Sequence, residues 1–410
     1  MMSPGRARRR PEGSNERRRQ ADETARKRPR GRAVRACPRL PCLLVFVCAL
    51  ALVAGATVTP ARAAQGDVIQ GRAVIERLDL DALAPGEIHQ LYFESVEMGS
   101  GQHWYVPVLV AKGAEPGARV LLVAGVHGDE LTPVATVHEV FRRLDPATLA
   151  GSVIAVVGVN RPGIDYVTRE WPMNSLGTTW VNPNRVFPGE ENGNTAERQA
   201  WLVMERLIRG NVDVAVDMHT GGNGSDFALF IFAYAADPDS MALAELFPVD
   251  QIKADPGLEG TLEYALVQAG IPALTLELGG PRGFEPEMVR AGVEGIENVL
   301  AHYGVSDGTV GRTAATVGAF RGNDLVDVFA DTGGFVEYLV ELNDAVAEGE
   351  LVAVQRDAFG ELVREYRAPA AGRVAIRGTD AVRERGSDIV TILVDSPACP
   401  PEGCPSDWPE

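Results

Sequence analysis

The sequence predicts an α/β fold, a mainly parallel mixed sheet flanked by helices, followed by a smaller all-β domain. Two observations carry that prediction. Between residues 119 and 305 short apolar runs alternate with segments of helical period, and alternation of buried strands with helices implies a mainly parallel sheet. After about Gly308 the helical periods stop, and short strands with Gly, Asp and Pro turns take over.

The chain begins differently. Residues 1–39 hold 14 Arg and Lys against 4 Asp and Glu, a local charge of +10. The uncharged stretch LPCLLVFVCALALVAGATVTPA, Leu40 to Ala61, follows and leads into the small-x-small pattern Ala61-Arg62-Ala63. Basic region, apolar region and small-residue site in this order make 1–63 a basic arm and secretory signal peptide. The expected destination is periplasmic or extracellular. The arm is long for a signal, which leaves a start downstream of Met1 open. The apolar segment is just long enough to span a bilayer, so an uncleaved membrane anchor is the alternative.

Removal of residues 1–63 takes away 15 of the 39 basic and 4 of the 56 acidic residues, leaving a charge of −28. Such a surface repels nucleic acid backbones and anionic lipid, so neither is an expected partner. Three of the five cysteines lie in the targeting segment. In an exported protein Cys399 and Cys404, in CPPEGC, read as a local disulfide tying down a tail over 397–410.

The folded part opens with a mixed, strand-rich stretch from Val68 to Val110. The apolar runs are RVLLVAGV, SVIAVVGV, VDVAVDM, FALFIFAY and IPALTLEL. Between them lie the helical segments LTPVATVHEVFRRL, NTAERQAWLVMERLIRG, EGTLEYALVQAG and EPEMVRAGVEGIENVLAHYG. In the second of these, Asn194 and Glu197 have capping-box spacing and Gly210 marks the end. These segments define a catalytic domain over 68–308 and a β domain over 309–396. The β domain looks like a biotinyl/lipoyl-type barrel-sandwich, but no lysine follows Lys253 to carry a swinging cofactor.

The chemistry starts at VAGVHGDELTP, where an apolar run gives way to His127 and Glu130. Two readings stand at this point. Asp129 caps the following helix, with Glu130 in its first turn and His127 an ordinary loop residue. Alternatively, H-x-x-E holds a metal ion. Ligands in open α/β sheets bind beyond the C-terminal strand ends, which turns attention to the polar residues there. VDVAVDMHTGG delivers His219 and IPALTLELGG delivers Glu277 toward the same edge. Each alone has a bland reading, a satisfied core histidine or a solvated strand end. Their coincidence favours a site.

His127, Glu130 and His219 form a two-histidine, one-carboxylate set that holds one zinc ion per chain and leaves one position open. Zinc lowers the pKa of water toward neutrality. Glu277 is then the spare carboxylate, available as general base. TREWPMNSLGTTWVNPNRVFPGE adds Arg169, Asn184 and Arg185 on a long loop, and arginine suits bidentate recognition of a substrate carboxylate.

G-V-H-G-D-E, N-P-N-R-V-F-P-G, D-M-H-T and T-L-E-L-G, in this order, resemble the succinylglutamate desuccinylase/aspartoacylase family, which is related to the zinc carboxypeptidases. The resemblance covers roughly Val68 to Val305 and extends to the β-rich remainder. It implies a zinc-carboxypeptidase-like fold, with His127, Glu130 and His219 as zinc ligands and Glu277 as general base. Asn184 and Arg185 would hold a substrate carboxylate, and Arg169 would polarise the scissile carbonyl. Arg169 stands 16 residues before Arg185, farther than the family pattern, and an insertion through WPMNSLGTTW would explain the gap. The function implied is hydrolysis of an amide in a small carboxylate-bearing molecule such as an N-acyl amino acid. The alternative is an exported carboxypeptidase-like enzyme acting on peptides or cell-wall fragments.

Overall fold

The computed structural model describes residues 67–175, 177–400 and 402–405, with the side chains of Ser175 and Thr178 left out. The signal segment expected at 1–63 lies outside the described residues. Among those residues no helix is long and apolar enough to cross a membrane.

Four of the apolar runs become neighbouring strands of an eleven-stranded mixed sheet, in the order Ala150–Val157, Glu115–Ala124, Val214–His219 and Ala273–Leu278. All three junctions are parallel. Residues Val120 to Ala124 are fully buried, as are Val214 to Val216. Burial on both faces explains why these strands read as continuous apolar runs without alternation. The fifth run forms Leu229–Tyr234, which is antiparallel to Ala273–Leu278 and carries a further parallel neighbour, Gln251–Asp255.

Helices cover both faces. Thr132–Arg143 and Pro286–His302 pack on one side over a core that includes Val137, Phe247, Ile296 and Val299. Leu262–Gln268 and the segment from Thr195 lie over the core of Leu121, Val203 and Leu266. Asn194 accepts from the N–H groups of Ala196 and Glu197, and Glu197 accepts from the Asn194 N–H, which completes the capping box. The segment continues as a π-helical turn, Val203–Ile208, and ends at Gly210 with φ of 79°.

The helical region extends a turn past Gly308. Ala314–Val317 is a single turn, and Phe320–Gly322 then joins the edge of the large sheet beside Gln251–Asp255. The remaining C-terminal strands make two antiparallel sheets around Val336, Val352, Val374, Ile389 and Ile392. They are not independent of the large sheet's loops, because Ser225–Phe227 pairs with Gly372–Gly378. Cys399 and Cys404 form a disulfide, and Cys404 donates its N–H to the Asn323 carbonyl. That contact holds the tail against the main body.

Candidate metal centre and catalytic cavity

Strand register brings the chemical residues together. Parallel pairing sets His219 opposite Glu277, on the next strand. Glu115–Ala124 lies on the other side of the His219 strand and leads into the loop that carries His127. Beside His127, a Cβ at Gly128 would lie 2.0 Å from the Gly163 carbonyl carbon, so only glycine permits this approach. Helix Thr132–Arg143 starts from Leu131 with no side-chain cap and no acidic residue in its first turn. Asp129 therefore does not cap it. Glu130 points instead to the two histidines.

The hydrogen bonds fix which ring nitrogens face the cluster. His127 Nε2 lies 3.0 Å from Asn182 Oδ1, an oxygen that also accepts from the Asn184 N–H. His219 Nε2 lies 2.9 Å from Asp217 Oδ2. Facing acceptors, both Nε2 atoms carry protons, so in the neutral rings both Nδ1 atoms present lone pairs. Those Nδ1 atoms lie 3.2 Å from each other and 2.8 Å from Glu130 Oε1 and Oε2, respectively. Electron pairs crowded this closely in a buried space call for a positive charge among them. The set can hold a metal ion. Two imidazoles and a carboxylate, with each far nitrogen held by an oxygen, are the donor chemistry zinc takes.

The electrostatics set the two rings apart. Burial and the Arg169 charge lower the His127 pKa to about 4, keeping the ring neutral. Burial opposes charge on His219, but the carboxylates of Asp217 and Glu130 outweigh it and raise its pKa well above the ordinary value. Despite burial, the adjacent histidines and Arg169 hold Glu130 well below the usual carboxylate range. Asp129, also buried, is raised to about 6 by burial and by the Glu130 charge.

Glu277 is buried, and its Oε2 has no hydrogen-bond partner among the described residues. Burial raises its pKa to about 8, helped by Glu130 and opposed by His219. The interval between Arg169 and Arg185 is occupied by a hairpin of Trp171–Ser175 and Thr178–Val181. It returns both arginines to one cavity of about 400 Å³, lined also by His127, Asn184, His219 and Glu277. Arg169 Nη1 donates to Glu130 Oε1, so this guanidinium reaches the cluster itself. Arg185 donates to the Asn184 carbonyl at 2.8 Å, and burial together with Arg169 lowers its pKa. Asn184 has a structural duty as well, because its Oδ1 accepts from the N–H of Leu262 at the start of a helix.

Sequence reasoning did not single out Asp217 and Asn182, which orient the two rings. Asp217 was within reach, since strand alternation puts positions 217 and 219 on one face. Asn182 was not, because only the fold brings its loop to His127. The cavity also extends over the sheet face beyond the strand ends, past Thr275 and Phe232 to Asp255 and Glu263. Asp388 and Pro405 close it from the C-terminal part.

Residues 116–303 match the succinylglutamate desuccinylase/aspartoacylase catalytic domain. The chain is 28% identical over 302 residues to an N-alpha-acetyl-L-2,4-diaminobutyric acid deacetylase of Halomonas elongata, covering 70% of this chain and 85% of that one. A succinylglutamate desuccinylase of Pseudomonas aeruginosa is 30% identical over 217 residues, 45% of this chain and 59% of its own length. Among solved structures, a succinylglutamate desuccinylase/aspartoacylase from Rhodobacter sphaeroides superposes with a TM-score of 0.67 at 26% identity, over 78% of this chain and 98% of that one. The product-bound ectoine utilization protein of Ruegeria pomeroyi gives 0.65 at 25% identity, over 76% and 97%.

Proposed function

Because the chain belongs to the succinylglutamate desuccinylase/aspartoacylase family, we propose that it is a zinc-dependent hydrolase cleaving the amide bond of a small N-acyl amino acid. The observation that carries this reading is the meeting of the two histidine Nδ1 atoms at the Glu130 carboxylate, with both rings and Glu277 lining one cavity. His127, Glu130 and His219 would hold the metal. Zinc bound there supplies Lewis acidity and lowers the pKa of water.

The protein's own residues do the rest. Glu277, buried with a free oxygen, is placed to take a proton from the attacking water and pass it to the departing amine. Its raised pKa suits a group that must both accept and release a proton near neutrality. Arg185 binds the substrate carboxylate, having no carboxylate partner of its own among the described residues. Arg169, already in the cluster, is positioned to stabilise negative charge developing on the carbonyl oxygen.

The cavity volume, with Asp388 and Pro405 in its wall, supports a small molecule over a peptide or cell-wall strand. Export through the segment before residue 64 belongs to the same proposal, and the Cys399–Cys404 disulfide supports it. A hydrolysis screen of the zinc-loaded protein against N-acyl amino acids and short peptides tests the reading. Turnover confined to N-acyl amino acids is expected, and turnover confined to peptides overturns it.

A further inference from the structure

Lys253 is fully buried and takes no part in the chemistry above. It stands in Gln251–Asp255 opposite Phe232, which stands opposite Thr275, and Thr275 stands opposite Asp217. Residues directly opposite share a face and alternate ones return to it, so Lys253 lies on the sheet face that carries Asp217, His219 and Glu277. Its Nζ donates to Asp255 Oδ2 at 2.5 Å and to the Cys404 carbonyl at 3.0 Å. A buried ammonium short of acceptors is costly, so both bonds hold the lysine in place.

Both acceptors adjoin the cavity. Asp255 lines it, and Asp255 Oδ1 accepts from the N–H of Gly257, another lining residue, at 2.7 Å. Cys404 immediately precedes Pro405, which lines the cavity with Asp388. The loop that presents the Cys404 carbonyl is firmly seated. The Cys399–Cys404 bond closes it, and the Cys404 N–H donates to the Asn323 carbonyl at 2.8 Å. Gly403 is buried with φ of 91°, and a Cβ there would lie 2.2 Å from the Ala254 carbonyl oxygen. The loop therefore rests directly on the strand of Lys253, at a position that only glycine allows.

We propose that the disulfide-closed loop is a wall of the catalytic cavity, attached through Lys253, and that this attachment limits the length of substrate admitted. The size limit rests on the deacylase reading; the wall rests on the geometry of Lys253 and Gly403. Loss of the Cys399–Cys404 bond gives the loop more conformations and withdraws the Cys404 carbonyl from Lys253. Lys253 and Asp255 then open to solvent, and longer acyl or side-chain groups gain room beyond Thr275. The bland alternative is a disulfide that only tethers the end of the chain. It predicts no change in Lys253 or in the substrate lengths accepted.

The test uses the zinc-loaded full chain as parent, as the double variant Cys399→Ser/Cys404→Ser, and as Gly403→Ala, which keeps the disulfide. Reductive methylation read by mass spectrometry compares the reactivity of Lys253 with that of Lys112, far across the same sheet. Both variants should raise the Lys253 rate by roughly tenfold or more and leave Lys112 unchanged. N-acetylalanine is then compared with N-octanoylalanine and with N-acetyl-α-aminodecanoate. In the variants kcat/KM for at least one long member should rise by roughly tenfold relative to N-acetylalanine. A Lys253 that stays protected in both folded variants overturns the wall, whatever the protein hydrolyses. An exposed Lys253 with both length ratios unchanged overturns the size limit. If the parent hydrolyses none of the three and neither variant does, the deacylase reading fails separately, and the labelling of Lys253 alone decides the wall. Where a variant unfolds, shown by a faster Lys112 as well, reduction of the parent with a phosphine replaces it, and the same outcomes decide.

Discussion

Asp217 Oδ2 holds the Nε2 proton of His219 at 2.9 Å, and the two side chains project from one face of the same strand. The bond leaves Nδ1 of His219 to face Glu130 and His127. Asp217 is therefore the residue that decides which nitrogen His219 offers. Asp217→Asn keeps the shape but weakens the hold on the tautomer and on ring basicity. Partners of this kind typically contribute about 10–100-fold in metal affinity or activity, and a loss of that order is expected. Competition for zinc with a chromophoric chelator measures it. Unchanged affinity in a folded Asp217→Asn protein assigns ring orientation to other contacts.

Much of this arrangement was legible in the chain. The strands flanking the cluster are buried on both faces, so their apolar runs and the polar residues that end them stand out. His127, His219 and Glu277 were readable because each follows or closes such a run. What escaped has physical reasons. DQIKADPG is too polar to read as a strand, yet Gln251–Asp255 is one, with Lys253 buried through its bond to Asp255. The reversed direction of Leu229–Tyr234 depends on pairing, which local pattern does not encode. The hairpin between Arg169 and Arg185 was visible only as unexpected spacing. Asn182 and Glu263 reach the cavity through loop and helix placement, which no periodicity records.

Glu277 lies on a different strand from His219 and on a different segment from His127 and Glu130, so metal binding should not need it. Glu277→Gln keeps the shape and cannot accept a proton. General acid–base groups contribute about 10²–10⁴-fold, and kcat should fall by that order with zinc content unchanged. Glu277→Asp should recover part of the loss. Normal turnover by a zinc-replete Glu277→Gln protein would mean that another group is the base.

In the metal-free protein the same residue shapes pH stability. Burial holds the Glu277 carboxyl at about 8, against an ordinary value of 4.5. Between those values the folded chain keeps a proton that the unfolded chain has lost, so the contribution of this group falls as pH rises. Glutamine has no such dependence. The Tm of metal-free Glu277→Gln relative to the parent should therefore climb from pH 4.5 to pH 8. A flat or declining difference over that window contradicts a buried, uncompensated Glu277.

Arg185 is half-buried, and among the described residues its Nη1 bonds only a backbone carbonyl. A charge-assisted bidentate pair is worth roughly 1.5–3 kcal/mol, so Arg185→Ala should raise KM and lower kcat/KM by about two orders of magnitude. Substrates whose carboxylate is amidated should be poor for the parent and indifferent to the change. Equal rates for the amidated and free-acid forms with the parent show that Arg185 does not read a carboxylate.

Under the proposed function, His127, Glu130 and His219 together hold one zinc ion. Elemental analysis of the purified protein and of His219→Ala tests it most directly. One zinc per parent chain is expected, with a variant that has lost the metal and its hydrolytic activity while keeping its secondary structure. A folded His219→Ala protein that retains a full equivalent of zinc contradicts it.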